Sequence, residues 1–532
     1  MKAGVPPIRR VAVALGIFAL AATLVAGASA VNRSSSQALV VDTNFGLVTL
    51  DPTYGQTQTR LVNHQRFDTL LTYNAGVLTP VPDIASSYSA SPRAKVWTFH
   101  LRHDVHFADG TPLTSADVVF SLQRAIALGG DGASVIPHCS VSAPDPYTVV
   151  INSTVPNAAI PAAVTSPMLA ILNSKLAMAH GATDAANAAT ADTAGPWLSS
   201  GSSQGIGSGP YTLAEYDPNS QVIMGRNLKY WRARPKFDKV VIRNVPTQAQ
   251  LLDVQRGADE IALDLGAQDV AGLSTASLNI IRAPSAQTFL FFSNNSPSIS
   301  AVSSNKNLQQ AIRYAIDYKA ILQLAGYGAV RPSGEIPPYF EGALKTKDGV
   351  KQDISKAKSL VAASGLSNPT ITLEYPSDRT INGLSFGSIA QIIQSNLQQA
   401  GITVNLAGEP VTTVLQRYLA GLIPWALVPN LPSVMDVTEL SRLLPGGILG
   451  LHVGWAANAD PSISQAQLKA ELQPGNARYA LWGAVQQQLN ADGPWIGLVN
   501  PVAVLASTKD LSGVAFNPTW TVDFASVKPA KA

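Results

Sequence analysis

The chain reads as an α/β protein built from more than one domain, on three observations. Ile389, Ile392, Ile393 and Leu397 recur at helical spacing, Gly401 stops them, and Ile402, Val404 and Leu406 alternate straight afterwards. Helix, glycine and strand in that order make an α/β unit. Residues 97–124 give the reverse join, an alternating strand that runs through a turn into a capped helix. Finally, 532 residues are too many for one compact core and imply two or three domains.

At the N-terminus, Lys2, Arg9 and Arg10 precede an apolar run over residues 11–28 that ends in the small-residue site Ala28-Ser29-Ala30. That is the pattern of a secretory leader, and it predicts cleavage after Ala30, with Val31 as the first mature residue. Removing the leader takes away three basic residues and leaves Lys plus Arg equal to the 34 Asp plus Glu. A neutral mature chain gives no electrostatic case for nucleic acid or an anionic membrane as partner. Cys139 is the single cysteine, so no internal disulfide is possible. No cysteine follows the leader either.

Next, Ala38-Leu39-Val40-Val41 predicts a first buried strand, and Thr49-Leu50-Asp51-Pro52 the turn after it. Trp97, Phe99 and Leu101 alternate with Thr98, His100 and Arg102, so one strand face is buried and the other wet. Asp109-Gly110-Thr111-Pro112 is turn chemistry. Thr114 and Asp117 have the spacing of a capping box, and Val118, Val119, Leu122 and Ile126 fall on one side of the helix it opens. Residues 177–209 are rich in Ala, Gly and Ser with little periodicity, which predicts a loop or lid-like connection. Residues 289–292 form an apolar strand, and Leu308, Ala311, Ile312, Ala315 and Ile316 mark a further helix.

No catalytic constellation stands out. The glycines of residues 201–209 lack the Lys-Ser/Thr ending of a phosphate loop, and the serines among them lack a strand–elbow–helix frame. His100, His103 and His106 recur every three residues beside a strand and do not share a face, while His138-Cys139 is an adjacent pair whose side chains diverge. The expectation is a protein without enzyme activity, cofactor or metal.

The order of residues 97–124, together with Leu50-Asp51-Pro52, Gly209-Pro210-Tyr211, Arg226-Asn227, Tyr230-Trp231 and Arg313-Tyr314-Ala315-Ile316-Asp317, resembles the family 5 solute-binding proteins. These are extracytoplasmic receptors of peptide- and nickel-type ABC importers. The resemblance runs from about Val40 to about Ala407 and fades beyond Ala420. It implies a two-lobed periplasmic binding protein fold, type II-like and large, with an extra domain inserted in lobe I. Carried over, lobe I takes residues 31–78, 200–285 and the return 496–532; the extra domain takes 79–199 and lobe II 286–495. It further implies a monomeric receptor of a small molecule or short peptide that docks on ABC permease subunits. The missing lipidation cysteine then points to a free periplasmic protein.

Site residues follow from the same resemblance. Thr43-Asn44-Phe45 matches the place where lobe I meets the ligand, giving Asn44 and Phe45. Residues 375–379 match a lobe II segment lining the pocket, giving Tyr375 and Arg379. Peptide-binding members carry a Trp-x-x-Asp-x-Pro-Asp-like element whose first Asp pairs with the peptide amino terminus. Its nearest match here is Leu427-Val428-Pro429-Asn430-Leu431-Pro432-Ser433, with Asn430 and Ser433 in place of the acids and the Trp displaced to Trp425. A buried ammonium without a carboxylate is costly, so Asn430 favours a neutral or hydroxyl- and amide-bearing ligand such as a glycoside or opine-like compound. Asp436 or Glu409 supplies the charge on a shifted alignment.

Overall fold

The computed structural model describes residues 37–530, apart from residues 56, 259, 274 and 474. The leader with its cleavage site lies outside the described residues. Three sheets organise the rest. The first is seven-stranded, in the spatial order Leu278–Pro284, Val502–Thr508, Glu260–Leu265, Ala38–Thr43, Lys239–Asn244, Gln221–Arg226, Tyr211–Asp217. The predicted first strand sits inside it, paired in parallel with neighbours on both sides, and a strand covered on both faces reads as a continuous apolar run.

A second, five-stranded sheet has the order Thr403–Glu409, Thr370–Pro376, Trp425–Asn430, Thr288–Ser293, Trp495–Val499. Helix Phe386–Gln399 buries Ile389, Ile393 and Leu397 against it. Thr403–Glu409 then pairs in parallel with Thr370–Pro376, as the helix–glycine–strand pattern predicts. Thr288–Ser293 is buried along its whole length. Helix Lys306–Ala315 lays its predicted apolar face on the same core, and Arg313 fixes it by donating to the carbonyls of Trp495 (2.6 Å) and Gly493 (3.0 Å). These two sheets are the cores of lobe I and lobe II.

The third sheet, four-stranded, has the order Ala85–Ala90, Val96–Leu101, Thr148–Ser153, Cys139–Asp145 and forms the extra domain with helix Ser115–Leu128. Trp97, Phe99 and Leu101 are buried, and the Asp117 carboxylate accepts from the Thr114 amide at 2.9 Å, as the capping box requires. The motifs interlock. Asn227 donates to the Gly209 carbonyl (2.9 Å), Trp231 Nε1 donates to Asp68 (2.9 Å), and a Cβ on Gly209 would lie 2.5 Å from the Arg66 carbonyl carbon. Only glycine admits that approach.

Residues 177–209 depart from the expected loose connection. Ala177, Ala182, Ala194, Leu198 and Ile206 pack with Phe67 and Phe120 in a small core of their own. Asp192 joins Asp51 of the Leu-Asp-Pro turn on either side of Arg124, at 2.7 and 2.6 Å, with all three side chains nearly fully buried. Short side chains pack closely without helical periodicity, so pattern reading misses such a segment.

The chain passes from lobe I to lobe II after Pro284 and back after Val499. The two passages run side by side in opposite directions, with Pro284 facing Val502 in one sheet and Phe289 facing Val499 in the other. Asn500 ties them together, its Nδ2 donating to the Gln287 carbonyl (2.9 Å) and to Thr288 Oγ1 (2.7 Å).

Candidate functional site

The lobes meet around the loop that follows strand Trp425–Asn430. In this loop the amides of Ser433 and Val434 donate to Glu439 Oε2 (2.9 and 3.1 Å), and Arg442 Nη1 donates to Glu439 Oε1 (2.6 Å) and Ser433 Oγ (2.7 Å). Asp436 caps the 3-10 helix Val437–Leu443 through the Thr438 amide and takes both terminal nitrogens of Arg478, at 2.7 and 2.5 Å. Bidentate pairing of this kind holds both side chains in one geometry. From lobe I, Arg60 on helix Thr57–Arg66 reaches across and donates Nη1 to the Pro432 carbonyl at 2.7 Å. Burial pushes the Arg60 guanidinium down to about 10, and the nearby Arg442 charge acts in the same direction.

Beside this contact lies a cavity of about 400 Å³ between the extra domain and lobe II. His138 and residues 155–159 form one wall; Glu439, Arg442, Glu471, Arg478 and Trp482 contribute to the other. Val434, in the lobe II wall, packs into the extra-domain core. Burial raises the Glu471 carboxyl above its ordinary value, against the opposing influence of its Gln467 hydrogen bond (2.8 Å) and of nearby His138. Arg442 Nε, Arg478 Nε and Trp482 Nε1 are buried with no hydrogen-bond partner among the described residues. His138 itself holds a left-handed backbone, φ +61°, uncommon outside glycine. The cavity therefore presents donors on one part of its wall and a carboxylate on another, in a volume suited to a small solute.

The residues expected at the site from sequence lie outside this cavity. Asn44 is exposed at the end of its strand, and its amide donates to Asp264 at 2.6 Å. Arg379 of lobe II is lowered by burial and raised by the same Asp264, so those two residues do converge, on one carboxylate between the lobes. Phe45 belongs to the lobe I core and Trp425 to the lobe II core: each sits at the end of a strand covered on both faces, and its ring turns inward. Tyr375 is half-buried, its ring against Gly408 and Gly387. Asn430 is 5% exposed, opposite Thr288, with Nδ2 lacking a partner among the described residues. Asp436 is committed to Arg478. None of the seven lines the 400 Å³ cavity. The residues that do include His138, Glu439, Arg442, Glu471 and Arg478, and one local signal was available for them, the i, i+3 charge pair Glu439–Arg442 directly after the altered Pro432-Ser433 element.

Two sheet-centred lobes joined by paired crossings, with an extra domain and a polar cavity at their contact, define a bilobal solute-binding protein. The chain belongs to the bacterial extracellular solute-binding proteins, family 5, whose family model covers residues 79–444. Among its relatives is a probable D,D-dipeptide-binding periplasmic protein of Escherichia coli (strain K12), 29% identical over 72% of this chain and 69% of that one. Two solved structures share the fold. One is an ABC transporter-associated periplasmic binding protein of Helicobacter pylori in complex with the peptide STSA, with TM-score 0.78, 21% identity and coverage of 93% and 98% of the two chains. The other is a periplasmic binding protein of A. tumefaciens R10 in complex with agropinic acid, with TM-score 0.77, 22% identity and coverage of 93% and 99%.

Proposed function

We propose that this protein is the periplasmic solute receptor of an ABC importer, capturing a peptide or peptide-like zwitterion between its lobes for delivery to the permease. The carrying observation is the mixed polarity of the 400 Å³ cavity. Glu471 offers a carboxylate for an ammonium, while Arg442 and Arg478 bring guanidinium charge to the wall for a ligand carboxylate. Charged donors and acceptors in a desolvated cleft select by the cost of leaving them unpaired. The relatives' dipeptide and tetrapeptide ligands are of this class, and the role is binding rather than catalysis.

A second reading has its own support. Beside Ser433 the Glu439 carboxylate is already occupied by two amides and Arg442, which favours a ligand without an ammonium there, as an opine-like acid would be. Calorimetric titration of the purified protein with di- and tripeptides, free and N-acetylated, separates the two. Binding of free peptides that N-acetylation abolishes supports the zwitterion. Equal binding of both forms, or of neither, overturns it.

A further inference from the structure

A second cavity, about 230 Å³, lies on the lobe I side against the extra domain, lined by none of the residues of the first. Asp68, Asp83 and Asp523 face it, with Arg232 as the cation among its lining residues, apart from His64. His64 contributes no charge at neutral pH, because burial lowers it to about 3, and its ring stacks on Trp520 at 3.9 Å. Tyr73 lies 5.9 Å from the same Trp520 ring, and Tyr230 also lines the space. The cavity thus joins an excess of carboxylates to aromatic faces.

The acids are placed for a diffuse cation rather than a coordinated metal. Asp68 Oδ2 already accepts from Ser208 Oγ (2.8 Å) and Trp231 Nε1 (2.9 Å), and Asp83 accepts from the Thr69 amide (3.2 Å) and pairs with Arg232. Among the described residues, the one group of acids close enough to share an ion is Asp42, Asp253 and Glu260, outside this cavity. Metal ions need several oxygens at short range, whereas an ammonium is satisfied by a few carboxylates at hydrogen-bond reach and an aromatic face. An independent observation points to an occupant. Asn517 lines the cavity at 3% exposure, accepts from the Thr519 amide through Oδ1 at 2.8 Å, and leaves Nδ2 without a partner among the described residues. Such a buried donor is expected to meet an acceptor.

We propose that this cavity is a second binding site, for a small primary ammonium compound that also carries a hydrogen-bond-accepting oxygen. Its ammonium lies among Asp68, Asp83 and Asp523, and its oxygen takes the Asn517 amide. The site is independent of whatever the interlobe cavity holds.

Ethanolamine is the probe, with ethylene glycol as its uncharged counterpart, followed by saturation-transfer NMR and thermal shift on the purified protein. Ethanolamine binds and ethylene glycol does not; Asp523→Asn weakens binding about 10-fold or more at unchanged apo melting temperature, and saturating dipeptide leaves it unaffected. Asp523 is the acid of choice because, among the described residues, its carboxylate accepts a hydrogen bond from the Ala525 amide alone, and Asp83→Asn replaces it should that variant not fold. Three results overturn the proposal: no ethanolamine binding at about 10 mM, far above the range of a specific site; equal binding by wild type and variant; or Mg²⁺ or Ca²⁺ bound in ethanolamine's stead. Displacement of ethanolamine by dipeptide places it in the interlobe cavity and also overturns the second site, leaving the receptor reading intact.

Discussion

Buried arginines occur in two kinds of surroundings in this molecule. Behind the extra domain, Arg124 meets Asp51 and Asp192 with four hydrogen bonds between 2.6 and 3.2 Å. At the interlobe cavity, Arg442 and Arg478 each find a carboxylate but keep Nε unpaired. The first arrangement binds one segment of chain to another and leaves no guanidinium nitrogen without a partner. The second leaves each Nε without a partner among the described residues, in side chains that also line a cavity. An unpartnered Nε alone does not separate the two, since Arg313 shares it; the place of Arg442 and Arg478 in a cavity wall does.

The largest effect that would break this contrast belongs to Arg124. Arg124→Met strands two buried carboxylates and is expected to lower stability by about 3–5 kcal/mol, read by urea denaturation. A loss under 1 kcal/mol would mean that the cluster is hydrated and not structural. Glu335 is an intermediate case: it is fully buried, both oxygens lack partners among the described residues, and Arg313 stands 3.9 Å away. Burial raises its carboxyl from 4.5 to about 7. The folded chain therefore keeps a proton that the unfolded chain releases between those values. Its contribution to stability is fully present below pH 4.5 and declines as pH rises to about 7. Glu335→Gln should remove that decline and gain on the order of 2 kcal/mol at pH 7; melting curves of both proteins from pH 4.5 to 8 that stay parallel would refute the assignment.

Smaller changes sharpen the comparison on the cavity side. Glu471→Gln should weaken a free dipeptide about 10- to 100-fold, roughly 1.5–3 kcal/mol, at unchanged melting temperature; calorimetry showing unaltered affinity would remove Glu471 from the site. Asn430→Asp places a carboxylate where the side chain is 5% exposed and should cost about 1–3 kcal/mol in solute affinity, stability or both. Improved peptide binding by that variant would show that an ammonium does belong beside Asn430.

Sequence conveyed the scaffold better than the site, for physical reasons. The strand at 97–101, the Thr114–Asp117 cap and the helix–Gly401–strand unit are set by neighbours within a few residues, and periodicity records them directly. Motif residues such as Asn227 and Trp231 announced the fold because each closes a specific contact, to Gly209 and to Asp68. Phe45 and Trp425, carried over by resemblance, sit in the lobe cores, because a resemblance does not say which way a ring turns at a strand end. Asp436 pairs with Arg478, a partner 42 residues away that no local pattern shows. The cavity wall draws on residues 134–159 and 434–482, and no local pattern predicts that such distant segments face one another.

The two crossings between the lobes, tied by Asn500, amount to a strap of two strands lying edge to edge. A strap folds readily across its width, yet it resists being sheared or slid along its length, since either motion breaks the pairing of Pro284 with Val502 or of Phe289 with Val499. Any rotation of one lobe on the other must pass through it and so has essentially one easy direction. Were the lobes to part, the same alignment would be set by this strap on their return, and Arg60 would meet the Pro432 carbonyl again without a guide of its own.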